Sequence, residues 1–162
     1  MSEASPQLPS TQYLSFMLDN EVFAVDIAKV REVLEFTNIT KVPRTPDFMR
    51  GVINLRGSVV PVVDMRLKFG MPSTAKTVNT CIIIVEIEHD DEVTVMGALA
   101  DSVREVMELE PRQIEAPPKI GTRLRSDFLR GMGKHGDRFI MILEIDRIFS
   151  PDELMAGGEA AL

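Results

Sequence analysis

At 162 residues, with 44% hydrophobic and 27% charged positions, the chain has the make-up of a globular protein of one domain or two small ones. A net charge of −7 and a pI near 4.9 argue against a nucleic-acid partner, which normally requires a basic patch. The single cysteine, Cys81, excludes an internal disulfide framework and fits a reducing compartment. The lack of an export signal, and of any apolar run near the ~20 residues of a membrane span, predicts a cytoplasmic protein with no direct membrane insertion.

Residues 1–12 are polar, carry Pro6 and Pro9, and are expected to form a flexible N-terminal segment. From there the periodicity is that of strands. Residues 12–18 and 21–25 flank Asp19-Asn20 and predict a hairpin. A third strand over 30–36 alternates Val30, Glu32, Leu34 and Phe36 with Arg31, Val33 and Glu35, so its faces are mixed. Residues 51–55 and 58–63 flank Arg56-Gly57 as a second hairpin, in which Pro61 marks an edge or a bulge because it has no N–H to give a ladder. A short helix is predicted over 64–69, and 70–79, with Met71-Pro72-Ser73-Thr74, reads as a linker.

The plan then repeats. Residues 80–88 and 92–100 flank Asp90-Asp91, and 103–109 predicts the next strand. Pro111, Pro117 and Pro118 punctuate a long connection. A closing hairpin spans 128–132 and 138–143 around Lys134-His135-Gly136-Asp137, and the tail 151–162 predicts a short helix ending at Gly157-Gly158.

The sequence itself repeats along with the elements. Val30-Arg31-Glu32-Val33 recurs as Val103-Arg104-Glu105-Val106, and Phe48-Met49-Arg50-Gly51 as Phe128-Leu129-Arg130-Gly131. Val63-Asp64-Met65-Arg66-Leu67 is matched to Ile145-Asp146-Arg147-Ile148. Two copies of roughly 75 residues are too few for a solenoid and too small to bury a core apart, so the halves are expected to share one. About five short strands per half point to two small β-barrels: the first over about 13–69, a linker at 70–79, the second over about 80–150.

Little in the chain suggests catalysis. His89 and His135 sit beside predicted turns without cysteine or carboxylate at ligand spacing, so no metal site follows. Gly131-Met132-Gly133-Lys134 lacks the leading glycine of a phosphate loop, its place being taken by Phe128. Cys81 lies in the apolar run Cys81-Ile82-Ile83-Ile84-Val85 and reads as a packed thiol. Asp64 and Asp146 are the one tempting pair, because repeat-related carboxylates could share a proton across a pseudo-twofold axis as in an aspartic hydrolase. Their sequence contexts favour helix capping instead. Arg56, beside Gly57 on a tight turn and near a strand bearing Val30 and Glu32, would present a rigid fork of donors suited to a partner carboxylate or carbonyl.

The run Gly51-Val52-Ile53-Asn54-Leu55-Arg56-Gly57, followed by Val60-Pro61-Val62-Val63-Asp64-Met65-Arg66, closely resembles the signature of the CheW family of bacterial chemotaxis coupling proteins. The resemblance extends to 25–33, to Gly97-Ala98-Leu99-Ala100-Asp101-Ser102-Val103 and to 128–133, and covers 13–155 as one CheW-like domain. It implies a mainly β fold of two SH3-like five-stranded β-barrels from an internal repeat, packed about a shared core, with a few short helices. It also implies a non-catalytic, cofactor-free adaptor, recruited to membrane-associated receptor arrays. Its partners would be the cytoplasmic tip of chemoreceptors, the methyl-accepting chemotaxis proteins, and the regulatory domain of the CheA histidine kinase. Carried over by motif, Val30, Glu32, Gly51, Arg56 and Gly57 would be receptor-facing positions on the first barrel. Gly97, Val103 and Gly131 would be second-barrel positions associated with kinase binding. The acidic, methionine-rich character of Met107-Glu108-Leu109-Glu110 and of the tail departs from the family pattern.

Overall fold

The computed structural model describes residues 12–116 and 128–149. Its first half forms strands β1 (Gln12–Leu18), β2 (Glu21–Asp26), β3 (Val30–Glu35), β4 (Met49–Leu55) and β5 (Ser58–Asp64), then the one-turn helix α1 (Met65–Lys68). Its second half forms β6 (Cys81–His89), β7 (Glu92–Ala100), β8 (Ser102–Glu108), β9 (Ile114–Glu115), β10 (Leu129–His135), β11 (Arg138–Leu143) and the one-turn helix α2 (Ile145–Ile148). The two-residue strand β9 falls in what the prolines predicted to be irregular connection. The helix expected after Pro151 lies outside the described residues, as do Pro117 and Pro118.

Three tight turns fix the hairpin registers. Asp19 and Asn20 hold φ of 49° and 69°, Arg56 and Gly57 50° and 89°, and Asp90 and Asp91 50° and 66°. Positive φ at both central residues is what lets a two-residue turn follow the right-handed twist of its strands. Asn, Asp and Gly tolerate that region, whereas an arginine there is strained.

The strands assemble into two sheets, ordered β3-β6-β7-β5-β4 and β8-β1-β2-β11-β10-β9. These are the two SH3-like barrels, but neither is a continuous stretch of chain. The β6–β7 hairpin of the second half sits in the first barrel, and the β1–β2 hairpin of the first half sits in the second. The contiguous division into 13–69 and 80–150 therefore does not describe the sheets. Burial supplies the reason. Along β6, Ile82 and Ile84 point into the interior of the first barrel, while Cys81, Ile83, Val85 and Ile87 point into a central core. A strand buried on both faces reads as an unbroken apolar run and serves both layers at once. The central core draws Phe16 and Phe23 from one sheet and Ile83 and Met96 from the other. Phe16, Phe23, Phe69 and Phe128 follow one another through it with ring centroids 5.7–6.0 Å apart.

Ladder pairings confirm the register of the repeat. Leu14 pairs with both Val25 and Val106, and Ile83 with both Ala98 and Val33, so Val33 and Val106 are equivalent, and with them Val30 and Val103, Glu32 and Glu105. Gly51 opposite Val62 is likewise equivalent to Gly131 opposite Ile142. Both glycines mark the line where a barrel closes. A Cβ on Gly51 would lie 2.1 Å from the Thr40 carbonyl oxygen, and one on Gly131 would lie 2.7 Å from that of Glu115. Thr40 bridges to Val52 just as β9 bridges to β10.

The third sequence match was two residues out of register. Phe48 accepts from the Asp64 N–H and Phe128 from the Glu144 N–H, so the counterpart of Asp64 is Glu144, not Asp146. Asp146 stands where the first half has Arg66. A one-turn helix carries too little periodicity to fix its own alignment; the ladder before it does so.

Candidate protein-interaction site

The Arg56 side chain reaches from the β4–β5 turn to β3, where its two terminal nitrogens donate to the two carboxylate oxygens of Glu32 at 2.7 and 2.8 Å. Asn54 Oδ1 accepts from the Gly57 N–H at 2.8 Å and braces the turn beneath them. The Arg56 hydrogen bonds hold the Glu32 carboxyl below the usual carboxylate range, and Glu32 in turn raises Arg56. Arg56 is 71% exposed, so the pair contributes little to stability and chiefly orients the guanidinium. It borders an open groove that Val60, Pro61 and Val95 also line. Val59 and Val93 stand exposed beside it.

The second barrel carries a groove at the equivalent positions. Arg104 and Glu105 replace Arg31 and Glu32, Ile140 replaces Val60, and Val22 replaces Val95. A bulge in each strand sets these rims. Arg31 is the extra residue in β3, and in β8 the bulge is filled by Ser15, whose Oγ donates to the Glu105 carbonyl at 2.8 Å. The exposed apolar residues also correspond: Val33 with Val106, Val59 with Phe139. The turns differ. Arg56-Gly57 becomes Gly136-Asp137, and Leu55 and Ser58 become His135 and Arg138.

Of the residues singled out from sequence, Glu32, Arg56 and Gly57 come together at the surface. Val30 and Val103 pack against the central core. Gly51 and Gly97 flank Val62, one on each side of β5. Gly97 thus belongs to the first barrel's sheet, not the second's, and a Cβ there would meet Ile82 at 2.6 Å. Gly131 lies in β10, apart from Val103 in β8. These glycines and valines shape the strands that present the surface.

Asp64 and Asp146 have separate partners. Asp64 is fully buried, caps α1 through Arg66 N–H and Leu67 N–H at 3.0 and 3.4 Å, and accepts from Thr74 N–H at 2.9 Å, Thr74 Oγ1 at 2.8 Å and Arg50 at 3.2 Å. Asp146 accepts from Lys29 Nζ at 2.8 Å and Glu88 N–H at 2.9 Å. The expected capping role holds for Asp64 alone, and the shared-proton geometry of an aspartic hydrolase is not present.

Two ties across the seam between barrels have no local signal in the sequence. Arg66 clasps Asp101 at 3.0 and 2.5 Å, and Asp101 also accepts from the Asp19 N–H at 2.8 Å. A second tie joins Asp146, the counterpart of Arg66, to Lys29, which is one residue past the counterpart of Asp101. Arg50 and Arg130 do have a signal, their recurrence before Gly51 and Gly131: Arg50 binds Asp64 and Arg130 binds Glu144. Burial opposes the charge on Arg130, yet Glu144 and Asp26 hold its pKa above the usual arginine value.

A CheW-like domain model matches residues 12–153. The chain is 32% identical to the chemotaxis protein CheW of Klebsiella aerogenes, over 95% of this chain and 90% of that one. It is also 32% identical to the CheW of Thermotoga maritima, over 91% and 93%. Among solved structures, the scaffolding protein TtCheW from Thermoanaerobacter tengcongensis superposes with a TM-score of 0.79 at 34% identity, covering 90% of this chain and 92% of that one. A domain match over nearly the whole chain, relatives at 32% identity and a solved structure of the same fold place the chain in the CheW family of chemotaxis scaffolds.

Proposed function

We propose that this protein is a non-catalytic adaptor that links the cytoplasmic tips of chemoreceptors to the CheA histidine kinase and places kinase activity under receptor control. The observation that carries the reading is the Arg56–Glu32 fork, held on a strained turn at the edge of an open groove, in a family that includes the scaffolding protein TtCheW. Glu32, Arg56 and Gly57 contact the receptor, while Val30 and Gly51 fix the strands beneath them. The kinase binds mainly on the second barrel, where Val103 and Gly131 set the strand positions and Gly97 acts through the adjoining sheet. The protein works in the cytoplasm, at receptor arrays, without a cofactor.

The test is a pull-down with purified CheA and a soluble receptor signalling fragment. Arg56→Ala should keep the melting temperature nearly unchanged and weaken receptor capture, with CheA still bound. Loss of CheA capture in its place would exchange the two assignments. Val103 packs against the core, so the kinase face is better probed at exposed Val106; Val106→Glu should reduce CheA capture alone. Mutual exclusion of receptor and kinase in a titration would reject the adaptor mechanism.

A further inference from the structure

The groove on the second barrel differs from its counterpart in how its charges are used. In the first, Arg31 pairs with Glu86 and Arg56 with Glu32. In the second, Arg104 and Arg138 are exposed, and among the described residues neither has a carboxylate within ion-pair distance. Arg138 stands where the first barrel has Ser58. A protein of net charge −7 thus keeps two arginines without an ion-pair partner on this groove, which Glu105 and His135 also line. Between them, Val22, Met107 and Ile140 line a cavity of about 90 Å³. A depression of that size, open to solvent, suits one aliphatic side chain.

We propose that this groove is a docking site for an acidic segment of a partner protein, which seats one aliphatic side chain in the cavity and places flanking carboxylates on Arg104 and Arg138. Arginine forks bind carboxylates in two-point fashion, and unpaired ones need not first release an internal partner. The first groove lacks this property, since an incoming carboxylate there competes with Glu32 and Glu86. An apolar anchor between basic groups sets register as well as charge, which separates a peptide from a nucleic acid strand. The proposal does not depend on which face takes receptor or kinase.

The experiment uses the full chain and a fluorescent peptide of glutamates around a single central leucine, followed by anisotropy at low and physiological salt. Saturable binding is expected. It should weaken roughly tenfold or more in Arg104→Gln/Arg138→Gln, as when a charge pair loses one member, and stay unchanged in Arg31→Gln. Exchanging the peptide's glutamates for glutamine, or its leucine for glycine, should also weaken it. Equal binding by the double variant, by the all-glutamine peptide, or by a single-stranded oligonucleotide of matched charge would overturn the proposal. Should the double variant lose its fold by circular dichroism, methyl NMR of the wild type decides: the Met107 and Ile140 methyl signals must shift on titration, and unmoved signals would overturn it.

Discussion

At the rim of the first barrel Glu32 and Arg56 close on each other, whereas the second barrel has Glu105 at the first of these positions and Gly136 at the other. Beneath the rims the barrels are nearly interchangeable. Each has a bulged strand, a hairpin borrowed from the other half of the chain, and a glycine where the closing strand crosses. Duplication kept what the ladders and the core require, because a one-residue slip would turn each strand inside out. The side chains that face solvent were free to diverge, and the two surfaces became chemically distinct.

The exchange of hairpins makes the strongest demand on this comparison. If each barrel needs strands from both halves, cutting the chain between the exposed residues Ala75 and Lys76 should leave two fragments that do not fold singly. On mixing they should regain strand circular dichroism and a cooperative melt. A fragment that melts cooperatively alone would show that the halves are independent after all.

The closing glycines should differ in degree. Gly51 combines φ of 147° with a backbone carbonyl 2.1 Å from where a Cβ would sit, so Gly51→Ala should cost about 3 kcal/mol or more, at the upper end for single substitutions. Gly131 lacks the positive φ and meets a side-chain methyl of Ile114 at 2.5 Å as well as the Glu115 carbonyl. Gly131→Ala should therefore cost about 1–3 kcal/mol. Denaturant midpoints measure both, and equal values would mean that closure is not what fixes Gly51.

The equivalent carboxylates Asp64 and Glu144 form a finer pair. Asp64 is surrounded by donors alone, so Asp64→Asn would turn an amide N–H₂ toward them and strand Arg50, for a cost of about 3 kcal/mol. Glu144 is 24% exposed and serves Arg130, and Glu144→Gln should cost about 1 kcal/mol. A reversed order would refute the alignment of Asp64 with Glu144.

The smallest effect concerns Glu32. Its carboxyl is held low by Arg56, so any stability from the pair is present above the unfolded carboxylate range and fades as pH falls through the lowered folded value. Carboxyl NMR should place Glu32 below ordinary glutamates, and Arg56→Ala should return it to the common range. An unmoved titration would mean that the fork is not formed in solution.

The strands, their turns and most of the repeat were legible in the sequence because they depend on local chemistry. Asp19-Asn20 and Asp90-Asp91 announce hairpins by tolerating positive φ, and the recurrence of Val-Arg-Glu-Val carries its own register. The Arg56–Glu32 contact was also within reach, since a turn and the strand beside it left few places for the fork to go. What tertiary structure alone decided was which hairpin serves which barrel, and hence that Gly97 belongs with the first. It also decided which charges meet across the seam, as Arg66 meets Asp101 and Lys29 meets Asp146. Those outcomes depend on residues 35 and 117 positions apart in the chain, and no local pattern encodes a pairing at that separation. A strand buried on both faces, such as β6, can be read as apolar from its sequence, but only packing determines which two layers it joins.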